Sequence, residues 1–201
     1  MRAISAGLVM LTCGVLRPLA AQWRIGVEMI ATRYGGSSQD TSNSHIASQG
    51  RPGDATAISL QIGRTWRRYG VSLRGAYAKP GLAVAGANIN LTDKNTGDLV
   101  ELGALVSTRV GGIGPSGAIR LELGPALHLW NIDGDVHDRI GALAGLAYEW
   151  PVVGRILGTV RLEGVLSRSW FDPGDVPPEY ERRVTWRYGI GLGLRYRLSG
   201  G

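Results

Sequence analysis

The chain has 201 residues, 44% of them hydrophobic, which fits one folded domain and not a disordered chain. Its 31 glycines argue against a helical bundle, since each interior glycine costs a helix roughly 1 kcal/mol relative to alanine; no apolar run reaches the ~18 residues of a spanning helix either, so a polytopic helical membrane protein is excluded. The net charge is +6, but Lys79 and Lys94 are the only lysines and no run of five or six basic residues occurs, so the excess arginine does not point to nucleic acid.

The first predicted element is a targeting segment. Met1-Arg2 precedes an apolar stretch from Ala3 to Leu16, followed by Arg17-Pro18-Leu19-Ala20-Ala21-Gln22. A charged start, a short apolar core and small residues at a cut describe a secretory signal over residues 1–21, with 22–201 as one domain behind it. The single cysteine, Cys13, falls inside the signal. The exported chain is then expected to carry no disulfide, thiol nucleophile or thiolate metal site.

From Trp23 onward the pattern has period two. Trp23, Ile25, Val27, Met29 and Ala31 alternate with Arg24, Gly26, Glu28, Ile30 and Thr32. The same alternation runs from Ile58 to Trp66, Tyr69 to Tyr77, Val100 to Ser107, Ile119 to Leu129, Ile140 to Trp150 and Ile156 to Ser167. It is strictest at the end. There Val184, Trp186, Tyr188, Ile190, Leu192, Leu194, Tyr196 and Leu198 alternate with Thr185, Arg187, three glycines, Arg195 and Arg197. Such a set scatters around a helix and lines one face of a strand. Eight strands are predicted. The links between them run long, short, long, short, long, short, long. The long ones are 35–54, 80–98, 131–138 and 171–183; the short ones are 67–68, 111–117 and 151–155. The fold expected is all-β, an eight-stranded antiparallel up-and-down transmembrane β-barrel with long outer loops and tight periplasmic turns.

Two features choose the apolar face as the outer one. The other face is glycine, alanine, serine and threonine with scattered arginine and glutamate, which suits a narrow lumen better than water. The aromatics gather near the two rims: Trp23, Trp66, Tyr69, Tyr148, Trp150 and Tyr196 at one, Tyr34, Tyr77, Trp170, Trp186 and Tyr188 at the other. Eight strands enclose a space that side chains fill. A lumen charge network is therefore expected from Glu28, Arg74, Glu101, Arg109, Arg120, Glu122, Glu149, Arg161, Glu163, Arg187 and Arg195. Leu105, Leu143 and Val165 share the lumen phase. Arg64 and Arg168 take the lipid phase near an interface. Pro125 is expected to cause a bulge or a local break.

The closing stretch Gly193-Leu194-Arg195-Tyr196-Arg197-Leu198 resembles the last strand of the small bacterial outer-membrane β-barrels, the family of outer-membrane proteins A and X and the opacity proteins. It departs from them in ending on Leu and in the three residues that follow. The resemblance implies residence in the outer membrane, contact with its lipid and lipopolysaccharide, and assembly by the barrel-insertion machinery. No cofactor and no nucleic-acid partner are expected from the residues, and the resemblance names no loop partner.

Function then falls to the loops and the lumen. The expectation is a non-enzymatic envelope protein whose filled barrel anchors four surface loops. The alternatives are a soluble lipocalin-like binding barrel and a lipid A-modifying outer-membrane enzyme. His128 has the lumen phase near the outer rim, but 128–131 read His-Leu-Trp-Asn, without the serine two positions on that the deacylase pattern needs. Asp133-Gly134-Asp135 with Asp138, and Asp172-Pro173-Gly174-Asp175, read as polar turns and not as cation sites. No phosphate loop, nucleophile elbow or paired metal-ligand spacing occurs.

Overall fold

The structure is a computed structural model that describes residues 21–36, 38–40, 49–85, 90–93, 97–114, 116–132, 134–169, 171, 178 and 180–198. Cys13, nearly all of the expected signal, Asp133, Trp170 and the turn 172–175 lie outside the described residues. Thirteen strands follow in chain order. They are β1 Gln22–Gly35, β2 Ser38–Asp40, β3 Gln49–Pro52, β4 Ala55–Thr65, β5 Tyr69–Ala78, β6 Leu82–Ala85 and β7 Asn90–Asp93. After them come β8 Gly97–Gly111, β9 Ala118–Ile132, β10 Asp135–Val153, β11 Ile156–Ser167, β12 Tyr180–Arg182 and β13 Thr185–Arg197.

Eight of these close a barrel in the order β1-β13-β11-β10-β9-β8-β5-β4, every pair antiparallel. Each of the eight predicted strands is present. Closure comes from β1 against β13, in a single register from Arg24↔Arg197 to Gly35↔Trp186. A closed sheet leaves no edge, so the backbone groups of the wall pair with one another without water wherever the ladder is unbroken.

Burial runs opposite to that of a water-soluble protein. Met29, Leu60, Leu73 and Leu192 are 60–64% exposed on the outside, while Glu28 and Arg161 are 1% and 0% exposed within. A soluble ligand barrel keeps its apolar face inward, so that alternative fails on this inversion. The outer face is an aliphatic band, with Trp23, Tyr69 and Tyr196 exposed near one end and Tyr77, Trp186 and Tyr188 near the other. Arg64 takes the outer phase at the lower rim, where its guanidinium lies 5.9 Å from the Trp23 ring and 5.8 Å from the Trp66 ring. Here "lower" means the end where β1 starts and β13 finishes.

Three expectations need correction. Tyr34 is not part of the outer aromatic girdle; it is 3% exposed and faces the lumen, as its even-numbered phase on β1 dictates. The link 131–138 is not a loop. β9 and β10 stay paired up to Asp135↔Ile132, and Gly134 turns the chain with φ +98° while its N–H donates to Asn131 Oδ1 at 3.1 Å. The link 151–155 is likewise shorter: Pro151 belongs to β10, with a register shift before Val153, and Gly154 (φ +51°) makes the turn. At Pro125, β9 keeps its register with β10. Against β8 the pairing is interrupted between Gly103↔Ala126 and Val106↔Leu123 and resumes in the same register, so of the two outcomes expected at Pro125 the local break is the one present.

The remaining strands form a five-stranded sheet in the order β12-β2-β3-β6-β7. That order repeats β13-β1-β4-β5-β8, the barrel strands that flank each of them in the chain. The sheet therefore carries one side of the wall beyond the upper rim, using segments of the first, second and fourth long links. Gly36, with φ +79°, makes the joint between β1 and β2; an added Cβ there would lie 2.0 Å from the Val184 carbonyl oxygen.

Candidate functional site: the charged lumen

Strand parity aims one charged set inward. Glu28 on β1, Arg74 on β5, Glu101 on β8, Arg120 and Glu122 on β9, Glu149 on β10, Arg161 and Glu163 on β11, and Arg187 and Arg195 on β13 are all 6% exposed or less. These ten of the eleven expected residues gather into two arrays stacked along the barrel axis.

The lower array centres on Arg161 and Arg195. Arg161 donates through Nε to Glu28 at 2.7 Å and also pairs with Glu122. Arg195 reaches Glu28 at 2.9 Å, Glu122 at 3.6 Å and Glu149. Arg24 and Arg120 bind the other Glu149 oxygen at 2.8 and 3.2 Å. Gln61 Oε1 accepts from Arg161 at 3.0 Å and from Arg195 at 2.9 Å, and its amide donates to Ser72 Oγ at 2.7 Å. Glycine makes the space for this: a Cβ on Gly193 would sit 2.3 Å from the Val27 carbonyl oxygen and 2.5 Å from Glu28 Cγ.

The upper array is a balanced square. Arg74 lies 3.4 Å from Glu101 and 3.0 Å from Glu163, and Arg187 lies 2.9 and 2.8 Å from the same two carboxylates. His128 Nε2 is 3.0 Å from Glu101. Apolar side chains flank the arrays: Leu105, Ala126, Leu143 and Val165 on one side, Ile30, Ala57 and Ala78 on the other. Tyr34, Leu99 and Trp130 close the upper end, packed by Leu82 and Ile132. Tyr34 meets Trp130 edge-on at 6.0 Å, and the Arg187 guanidinium lies 6.0 Å from the Tyr34 ring. Within the lower half a void of about 30 Å³ remains, room for a water or so.

The chemistry of the two arrays is mutual charge pairing. Each carboxylate is spent on guanidiniums, which is how charge survives away from water. Ser167, on the same inner face as His128, donates its hydroxyl to the Arg168 carbonyl at 3.2 Å. Among the described residues, no group of three or more His, Cys, Asp or Glu is placed to hold a metal ion.

No protein-family model and no curated protein matches the sequence. Among solved structures, neisserial surface protein A superposes with a TM-score of 0.59 at 9% identity, over 88% of this chain and 97% of that one. The fold is that of the eight-stranded outer-membrane β-barrels. A major outer membrane protein from Thermus thermophilus aligns at a TM-score of 0.46 with 14% identity, over 88% of this chain and 99% of the other. Ail, the attachment invasion locus protein of Yersinia pestis, aligns at 0.41 with 10% identity, over 88% and 97%. At these scores neither adds to the fold argument.

Arg109 is the expected lumen residue that this outer-membrane-type barrel leaves out of the arrays. It is exposed at the lower mouth, where β8 shifts register between Arg109 and Gly111, and it donates to the Gly117 carbonyl at 3.2 Å. Arg24, Gln61 and His128 belong to the arrays without having been counted as members. Their signal was parity: Arg24 alternates with Trp23 and Ile25, Gln61 with Leu60 and Ile62, and His128 with Leu127 and Leu129. Trp130, two positions beyond His128 and of the same parity, is the lumen lid, a place its sequence position had not been given.

Proposed function

We propose that the chain is a non-enzymatic outer-membrane anchor, a filled post that holds its loop sheet at the cell surface. One observation carries this reading: an exposed aliphatic wall around an interior whose charges are consumed by one another. Such a wall needs lipid, and such an interior leaves the loops as the part available to partners. On this reading the outer wall contacts lipid and lipopolysaccharide, and the barrel-insertion machinery assembles it after residues 1–21 direct export. The start of β1 at Gln22 supports that boundary. The upper end, with its sheet, faces outward, and the tight turns face the periplasm.

The test is electrophoretic mobility in SDS with and without boiling. The folded barrel is expected to migrate differently from the boiled chain. A protein that is soluble without detergent and shows no shift overturns the reading. Orientation is checked by an impermeant maleimide on intact cells, which is expected to label Val136→Cys at the upper turn and to spare Arg67→Cys at the lower one. Lipid A from expressing cells is expected to keep its mass; a mass change makes the chain an enzyme.

A further inference from the structure

The lower mouth breaks the rule that governs the rest of the interior. A cavity of about 160 Å³ opens there, and five guanidiniums line it: Arg24, Arg67, Arg109, Arg120 and Arg197, with Glu149 as the one carboxylate of the lining. Glu149 is already committed, since Arg24, Arg120 and Arg195 all pair with it. Among the described residues of the lining, no other carboxylate opposes the charge left over.

Strand register makes the imbalance worse. Arg24 stands directly across from Arg197 on β1 and β13, and Arg109 directly across from Arg120 on β8 and β9. Like charges directly opposite on neighbouring strands destabilise a sheet. Both pairs face one cavity, and in each only one member, Arg24 or Arg120, reaches a carboxylate among the described residues, the shared Glu149. The donors are unfinished as well. N–H groups of Arg74, Arg187 and Arg195 in the arrays also lack a hydrogen-bond partner; here three such groups, Nη1 of Arg120 (4% exposed) and Nε of Arg24 and of Arg197, belong to residues that line one cavity.

We propose that the lower mouth is a binding site for a phosphate-class oxyanion. The five guanidiniums come from β1, the β4–β5 turn, β8, β9 and β13, so they approach the cavity from most of the barrel's circumference. A carboxylate presents two oxygens in one plane and answers part of such a ring. A tetrahedral oxyanion presents oxygens in every direction and carries the multiple charge that five forked donors oppose. Bound there, it separates the two like-charged pairs and takes the unpaired N–H groups. Free phosphate and a lipid headgroup phosphate share this chemistry.

The test refolds the exported chain in a maltoside detergent, which carries no phosphate, and titrates inorganic phosphate against chloride at matched ionic strength. Calorimetric binding and the thermal unfolding midpoint are read together. Saturable phosphate binding with a raised midpoint, absent with chloride, is expected. The double variant Arg109→Gln/Arg197→Gln touches neither charge array. It is expected to weaken phosphate binding about tenfold for each guanidinium removed, while keeping the mobility shift on boiling that marks a folded barrel. Nanodiscs of phosphatidylglycerol distinguish the sources: if headgroups fill the site, added inorganic phosphate no longer binds to the parent; if free phosphate is the ligand, it still does. A chloride response equal to the phosphate response, or a double variant that responds to phosphate like the parent, overturns the proposal. The site can fail this test while the barrel passes the boiling test, so the anchor reading is judged separately.

Discussion

The upper and lower halves of the lumen use the same residue types to different ends. Above, Arg74 and Arg187 face Glu101 and Glu163 in a closed square under an aromatic lid. Below, Arg24, Arg120, Arg161 and Arg195 face Glu28, Glu122 and Glu149, and the mouth adds further arginines with no carboxylate of their own. The upper half matches two guanidiniums with two carboxylates, while the lower half runs out of acid as it nears the opening. Arginine content alone therefore does not define a role. What matters is whether a carboxylate lies within reach in the folded register.

The sharpest way to break the upper half is Glu163→Ala. Arg74 and Arg187 would then share Glu101 alone, and removing one partner from a buried pair costs about 3–5 kcal/mol. Urea unfolding in detergent should show that loss, and an unchanged midpoint would mean the square carries no stability. The lower half is better attacked through its packing. Gly193→Ala drives a methyl into Val27 and Glu28, with an expected loss of about 1–3 kcal/mol by the same measurement.

At the mouth the sign reverses. Arg197→Gln removes one of two arginines set opposite each other, so without phosphate the barrel should be unchanged or more stable by up to about 1 kcal/mol. A clear loss would show that Arg197 has a protein partner that matters. Gly164→Ala is the control for Gly193. A Cβ there meets nothing nearer than the Arg187 carbonyl oxygen at 3.9 Å, so a change within about 0.5 kcal/mol is expected.

The barrel was legible because lipid and lumen alternate residue by residue, so parity reports the environment directly. Met29 and Glu28 are neighbours in sequence and belong to different solvents. Parity says that a side chain faces inward but not whom it meets. Glu28 pairs with Arg161 across 133 positions of chain, a match set by strand tilt and register around the whole barrel. Arg109 shows the same limit at one residue, since a register shift at the end of β8 leaves it at the mouth. The 131–138 link misled because its polar residues read as a loop, while Val136 and Ile140 on the outer face kept β10 running. The loop sheet was beyond reach because strands of three or four residues are too short to carry a period.

That sheet changes what an outside molecule would meet. Residues 38–40, 49–52, 82–85 and 180–182 are held side by side by backbone pairing within the first long link and between it and the second and fourth. A binder raised against the folded protein would read a composite epitope that no single peptide reproduces. For the same reason, cutting or lengthening one link would alter the others, so these segments answer to selection as a unit.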